Sequence, residues 1–386
     1  MQVTATVDKL RRAGVEVIDF GAGEPDFPTP EAIKGAAHAA LHQNFTKYTP
    51  TPGIAELRRA ICDRYRVDYG VEYSESEVIV TAGGKQALFN AALTLFGPGD
   101  EVITHAPYWP TLSEQIKLAE ATPVLVRTRP DDGFAIHADA ILAAVTPRTR
   151  GIIVNSPCNP TGALISETDL AALAVVAARQ GIWLVVDLCY EKLIYDEVPH
   201  NLPAVLARGC RDLAVICGSA SKAYAMTGWR CGWAIAPAAV TAASGAIQSH
   251  STSNVCSITQ KAVVAALTGS QAPVRAMLDE YRIRRDRLAE WLSADPRLRC
   301  RKPAGAFYMF VDVGDVLSVD GLRTSTDFAQ ALLEESRVAV TPGEAFDAPG
   351  FIRVSYATSM ENLQEGSRRL VEFVAAHAEK RQAAAR

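Results

Sequence analysis

The sequence predicts an α/β fold built on a mainly parallel sheet, and three observations carry that expectation. Short apolar runs alternate with helical patterns from about Val78 to Ala236, as strand–helix–strand units require. The runs are apolar at nearly every position, as in Leu213-Ala-Val-Ile-Cys217, which is what strands buried on both faces need. After Arg297 the composition changes to short strands and helices, so a second, smaller part is expected there.

In chain order, residues 2–13 predict an amphipathic helix ending at Gly14, and Val15–Phe20 a short strand. The loop Gly21–Phe27 has two early glycines, but Pro25 breaks the helix start that a dinucleotide fingerprint needs, and no third glycine follows. Pro30–Gln43 predicts a helix. Lys47–Gly53 is a turn-rich loop containing Tyr48, and a helix runs from Ile54 toward Val67. Strand Val78–Thr81 leads into Gly83-Gly84-Lys85, which opens a helix. Backbone N–H groups at such a turn favour an anion.

Strand Glu101–His105 is followed by Pro107-Tyr108-Trp109, aromatics able to stack on a planar ring. Strand Gly151–Asn155 leads into the turn sequence Asn159-Pro-Thr-Gly162. Strand Gly181–Val186 ends in Asp187, a costly place for a carboxylate unless it meets a cation. A long helical region spans about Ala238–Leu292 with a break near Gly269. Strands are expected at Gly305–Phe310 and Phe351–Tyr356. The second carries Arg353, which needs an anionic partner there. The final helix runs from Met360 to about Lys380.

At 386 residues the chain can bury a sizeable core without staples. Its net charge of −4 argues against nucleic-acid binding. No signal-peptide pattern and no apolar run of membrane-spanning length occur. The eight cysteines form no Cys-x-x-Cys pair, so reduced thiols in a cytoplasmic protein are expected, and no metal site. Repeats, low-complexity tracts and long linkers are absent from the sequence.

The densest signal is Ser219-Ala-Ser-Lys-Ala-Tyr-Ala-Met-Thr-Gly-Trp-Arg-Cys-Gly-Trp233. A lysine at the end of a buried strand is partly desolvated, which frees its amine as a nucleophile. The serines and Arg230 supply hydroxyls and a guanidinium for a phosphate.

This segment closely resembles the cofactor-lysine segment of class I aminotransferases, which use pyridoxal 5'-phosphate. Gly-x-Gly-x-Pro-Asp-Phe at residues 21–27 and Asn-Pro-Thr-Gly at 159–162 resemble further motifs of that family, and the likeness covers nearly the whole chain. It is similar to the subgroup of bacterial aspartate and prephenate aminotransferases.

The resemblance implies a fold-type-I architecture. A large cofactor domain at 35–275 would hold a mainly parallel seven-stranded sheet flanked by helices. A small α/β domain would be built from 1–34 and 276–386. It implies that Lys222 holds the cofactor and moves the substrate's α-proton, and that Ser219 and Arg230 bind the phosphate, with Gly83, Gly84 and Lys85 as a second cradle. Trp109, rather than Tyr108, would stack on the ring. Asn159 and Tyr190 would contact the phenolic oxygen, and Asp187 the ring nitrogen. Arg353, Asn159 and Gly21 or Gly23 would meet the substrate carboxylate, and Lys85 the distal carboxylate of acidic substrates. Tyr48 would reach the neighbouring site of a homodimer, near which His250 is expected.

The implied reaction is ping-pong amino transfer between an L-amino acid and a 2-oxo acid, with aspartate, glutamate or 2-oxoglutarate in one pair. Leu188 stands where relatives often have glutamate, and Val255 where proline is common. Relatives usually carry more residues before the first helix. The Asn159–Pro160 bond is expected to be cis. A lyase, decarboxylase or oxidase on the same scaffold is the alternative, because the cofactor does the chemistry and the pocket selects the bond. A regulator would need a DNA-binding domain, for which the chain has no room. A catalytically dead protein would not keep Lys222, Asp187, Asn159, Tyr190, Arg230 and Arg353 together.

Overall fold

The computed structural model describes residues 6, 7, 9, 10, 12–317 and 322–384, with side chains up to residue 377. Its strands are β1 (Ile18–Asp19), β2 (Val78–Thr81), β3 (Glu101–Ala106), β4 (Thr122–Arg127), β5 (Thr149–Asn155), β6 (Trp183–Asp187) and β7 (Ala214–Ser219). They continue as β8 (Gly232–Ile235), β9 (Arg299–Cys300), β10 (Tyr308–Asp312), β11 (Val338–Ala339), β12 (Thr341–Pro342) and β13 (Phe351–Ser355).

Seven strands form one sheet in the order β2-β8-β7-β6-β5-β3-β4. All neighbours are parallel except β8, which runs antiparallel to β2 and β7. Residues 220–231, which separate β7 from β8, form only the short helical pieces Ala220–Ala223 and Thr227–Trp229, and the chain turns back into an antiparallel pair.

Alternate residues of these strands feed two different cores. Val78, Val80, Ile152, Val154, Leu184 and Val186 pack on one face. Ile79, Ile153, Val185 and Val215 pack on the other. Helices Ala55–Tyr69 and Glu167–Gln180 cover the first face, and Gly84–Leu95 the second. This two-sided burial explains why the strands are apolar without alternation.

A third core gathers around β10 and β13, helix Ala272–Leu292 and the final helix Met360–Ala384. Here β12-β13-β10-β9 form an antiparallel sheet, and β1 pairs in parallel with β11. N-terminal and C-terminal segments therefore meet.

Most expected elements stand within a few residues of their predicted bounds, and four differ. The strand expected over Val15–Phe20 shrinks to Ile18–Asp19, the length that β11 can pair. The long helical region is three helices, Ala238–Ser251, Ser257–Thr268 and Ala272–Leu292, so it breaks near Asn254 as well as near Gly269. Strand β4 was not anticipated. It is the sheet edge, half exposed, and carries Pro123, which only an edge strand tolerates. Of the first expected helix, residues 6, 7, 9, 10 and 12 are helical, while 2–5, 8 and 11 lie outside the described residues. Asn159–Pro160 is cis, as are Ala106–Pro107 and Ser156–Pro157. Among the described residues, no helix is long and apolar enough to cross a membrane.

Strand β8 passes close beneath the Gly83-Gly84 turn. A Cβ on Gly232 would lie 2.5 Å from the Gly84 nitrogen and 2.6 Å from the Gly83 carbonyl carbon, backbone atoms that cannot swing aside. Gly232→Ala should lower stability by about 1–3 kcal/mol, read from the urea midpoint. An unchanged midpoint would show that the turn gives way freely.

Candidate active site

The parallel strands end on one side, and the loops leaving them converge there. Register aligns the last residues: Asn155 of β5 pairs with Asp187 of β6, and Asp187 with Cys217 of β7. Ser219 ends β7, and its side chain caps the short turn Ala220–Ala223, accepting from the Ser221 N–H at 3.0 Å. That turn carries Lys222 into a cavity of about 490 Å³.

Lys85, Lys222, Arg230 and Arg353 all line this cavity, and none forms an ion pair among the described residues. Arg353 is 7% exposed. Its guanidinium donates to Asn159 Oδ1 (2.9 Å) and to the Gly21 carbonyl (2.9 Å), and its Nε is buried without a partner. Arg230 donates to the carbonyls of Thr227 and Ala82, at 2.8 and 3.3 Å. It sits at φ 53°, the left-handed region, an uncommon conformation for a non-glycine residue that turns the chain back toward the Gly83-Gly84 turn. Lys85 Nζ stands 4.8 Å over the Trp109 ring.

Lys222 Nζ donates to the Gly23 carbonyl. Burial lowers its pKa to about 8, against which the nearby Glu24 acts. Asp187 is 2% exposed. It accepts from Asn155 Nδ2 (3.1 Å) and from the Cys189 N–H (3.0 Å), but makes no ion pair among the described residues. Burial raises its pKa from 3.8 to about 6. Tyr190 shares a hydrogen bond of 2.8 Å with Tyr308, and burial pushes its hydroxyl well up.

The expected residues divide cleanly. Gly84, Lys85, Trp109, Asn159, Asp187, Tyr190, Ser219, Lys222, Arg230 and Arg353 line the cavity together. Gly83 stands behind it against Arg230, where a Cβ would come within 2.6 Å of the guanidinium. The open choice between two glycines resolves into two places: Gly21 reaches Arg353, and Gly23 lines the wall beside Lys222. Tyr108 packs in the core beside helix Gly84–Leu95. Tyr48 is 92% exposed and does not line its own chain's cavity. His250 is exposed. His105 and His377 are buried and His200 is half-buried; desolvation holds His105 and His200 neutral, with their pKa values down at about 4. Ser221, the second serine of the lysine segment, also lines the cavity, as do Glu24, Asn155, Cys189, Thr227 and Tyr308, which were not singled out from the sequence.

The donor set fits pyridoxal phosphate. The Asp187 carboxylate has only neutral donors, as a partner for a protonated ring nitrogen should. Gly84 is open to the cavity, and a Cβ there would lie 2.6 Å from Cys189 Sγ. The hydroxyls of Ser219 and Ser221, the glycine turn and an unpaired Arg230 are chemically a phosphate site.

A pH effect follows from Asp187. In the cofactor-free protein the folded chain keeps this proton to about pH 6, whereas the unfolded chain loses it near pH 3.8. This group's stabilisation is therefore full below about pH 3.8 and is lost as pH rises through about 6. Asp187→Asn removes that slope. Relative to the parent, the variant's stability should improve by on the order of 3 kcal/mol between about pH 4 and 6, measured by denaturant unfolding. Parallel pH profiles would contradict it.

The family profile described as aminotransferase class I and II matches residues 15–370. The chain is 43% identical over 379 residues to an aspartate/prephenate aminotransferase of Cereibacter sphaeroides, covering 97% of this chain and 95% of that one. It is 40% identical to an aspartate aminotransferase of Geobacillus stearothermophilus, covering 98% and 96%. Among solved structures it is similar to the aspartate aminotransferase of Rhizobium meliloti, with a TM-score of 0.93, 41% identity, and 97% and 95% of the chains covered. A Thermus thermophilus aspartate aminotransferase with maleate gives a TM-score of 0.91 at 41% identity, covering 96% and 95%. The chain belongs to the class I and II aminotransferases, and it is an enzyme that transfers amino groups with pyridoxal phosphate as its cofactor.

Proposed function

We propose an aminotransferase of aspartate type, in which one substrate of the pair is a dicarboxylic amino acid or its 2-oxo acid. The observation that carries this reading is the set of four unpaired cations around one cavity. The phosphate and the α-carboxylate account for Arg230 and Arg353, and Lys222 is needed as an amine. Lys85 remains for a second carboxylate. Relatives at 37–43% identity bear the names aspartate aminotransferase or aspartate/prephenate aminotransferase, and the Thermus thermophilus relative carries the dicarboxylate maleate.

In this reading bound pyridoxal phosphate supplies the electron sink for the charge left when the substrate's α-C–H bond breaks. Lys222, with its pKa near 8, is unprotonated near neutral pH far more often than an ordinary lysine. Its Nζ acts as nucleophile, then takes the α-proton and returns it during the transfer. Asp187 holds the proton on the ring nitrogen. Ser219, Ser221, Arg230 and the backbone N–H groups of the Gly83-Gly84-Lys85 turn would hold the phosphate. Trp109 would stack on the ring, and Asn159 and Tyr190 would meet the phenolic oxygen. Arg353 forks the α-carboxylate, already oriented by Asn159 and Gly21. The bodies at 35–275 and at 1–34 with 276–386 would supply the cofactor wall and the Arg353 wall respectively.

A homodimer completes the site. Tyr48 is exposed on its own subunit. A second cavity of about 770 Å³ opens beside Arg230, between Phe27, Asn254 and Cys256, and supports the approach of a partner's Tyr48 toward the phosphate. Sedimentation at the dimer mass is expected, and a fully active monomer would contradict it.

Lys85→Ala should lower kcat/KM for aspartate and 2-oxoglutarate by about tenfold to a hundredfold, the range for losing a charged hydrogen bond. Amino acids without a distal carboxylate should change less. Arg353→Ala should lower kcat/KM for all of them. Equal losses for acidic and non-acidic substrates in Lys85→Ala would contradict the aspartate-type reading.

A further inference from the structure

We propose that Asn155 is the positioning residue that locks Asp187 and Asn159, two cofactor contacts of the reading above, into a single unit. Asn155 is 1% exposed, and every polar group of its side chain is committed. Its Nδ2 donates to Asp187 Oδ2 at 3.1 Å, and its Oδ1 accepts the Asn159 N–H at 2.8 Å. The amide can stand only one way round, because a carboxylate needs the donor and an N–H needs the acceptor. Its backbone N–H goes to His105 Nε2 at 3.2 Å. Burial keeps that imidazole neutral, so Nε2 is free to accept. The parallel register of β5 and β6 sets Asn155 directly beside Asp187. One amide thus fixes the carboxylate facing the ring nitrogen and the start of the cis-proline loop that presents Asn159.

Two consequences follow. The Nδ2 hydrogen bond favours the ionised form of Asp187 and orients its Oδ2. The Oδ1 hydrogen bond holds the Asn159 backbone. With Asn159 Oδ1 taken by Arg353, its Nδ2 is left to donate into the cavity. The titratable groups facing Asp187 are Cys189 and Lys222 from the cavity side, Cys158 from the Asn159 loop and Cys217 from β7. Of these, the Cys189 thiol also hydrogen-bonds the Asp187 carboxylate.

The test uses the holoenzyme of the parent, Asn155→Ala, Asn155→Asp and Lys222→Ala. It reads the pH midpoint of the visible absorption band of the lysine-linked cofactor, and the rate of cofactor release on dialysis. Asn155→Ala should release cofactor about tenfold faster or more. Its midpoint should rise by about one pH unit, because a loosened Asn159 no longer stabilises the deprotonated phenolic oxygen. Asn155→Asp keeps an acceptor for Asn159 but sets a second carboxylate against Asp187, and either their repulsion or a shared proton weakens the charge facing the ring nitrogen, so release still quickens. If Asn155→Ala does not fold, the Asp variant decides, and parent-like release in it overturns the inference. A parent with no band, like Lys222→Ala, would instead overturn the reading of Lys222. A parent with the band and matching Asn155 variants would overturn only the role of Asn155.

Discussion

The site depends on a carboxylate held at the end of a central strand where water scarcely reaches it. Asp187 is flanked by β5 and β7, capped by the Cys189 N–H and met by Asn155. Burying a carboxylate with neutral partners alone costs several kcal/mol unless a cation joins it. The sheet therefore carries a built-in demand for a positive group at this point, and in the proposed site a protonated ring nitrogen would meet it. Asp187, Lys222 and Arg230 line one cavity, so a single ligand could meet all three.

Burial acts in opposite directions on the two central ionisable groups. It moves Asp187 up to about 6 and Lys222 down to about 8, so each is drawn toward neutrality by the same low-dielectric surroundings. A lysine shifted this way is a nucleophile and base near neutral pH. A carboxylate shifted this way regains its charge when a cation arrives. Cofactor binding and amine activation thus share one physical cause.

The central strands were legible because burial on both faces writes itself as unbroken apolar runs, as in Ala214–Cys217. The edge strand β4, with Pro123 and a half-exposed face, carries no such signature. Lys222, Asp187 and Arg353 were legible because a charge inside or at the end of an apolar strand demands a partner. Asn155 was not, since a neutral asparagine at a strand end makes no such demand, and only the pairing of β5 with β6 sets it against Asp187. Tyr308 lies 118 residues from Tyr190, a contact no local pattern encodes. Among the histidines the sequence drew attention to His250, which is exposed. His105 sits inside an apolar strand and supports the site from behind. The two loop glycines could not be separated by sequence, because their difference lies in which side chain their carbonyls meet.

The most direct measurement of the central claim is an absorbance spectrum of the protein with pyridoxal phosphate, followed by single amino acids in the absence of any 2-oxo acid. The account predicts a visible band dependent on Lys222, converted by aspartate or glutamate to that of the aminated cofactor without release of ammonia. Absence of the band would contradict the assignment of Lys222, and ammonia formed without the aminated cofactor would contradict amino transfer.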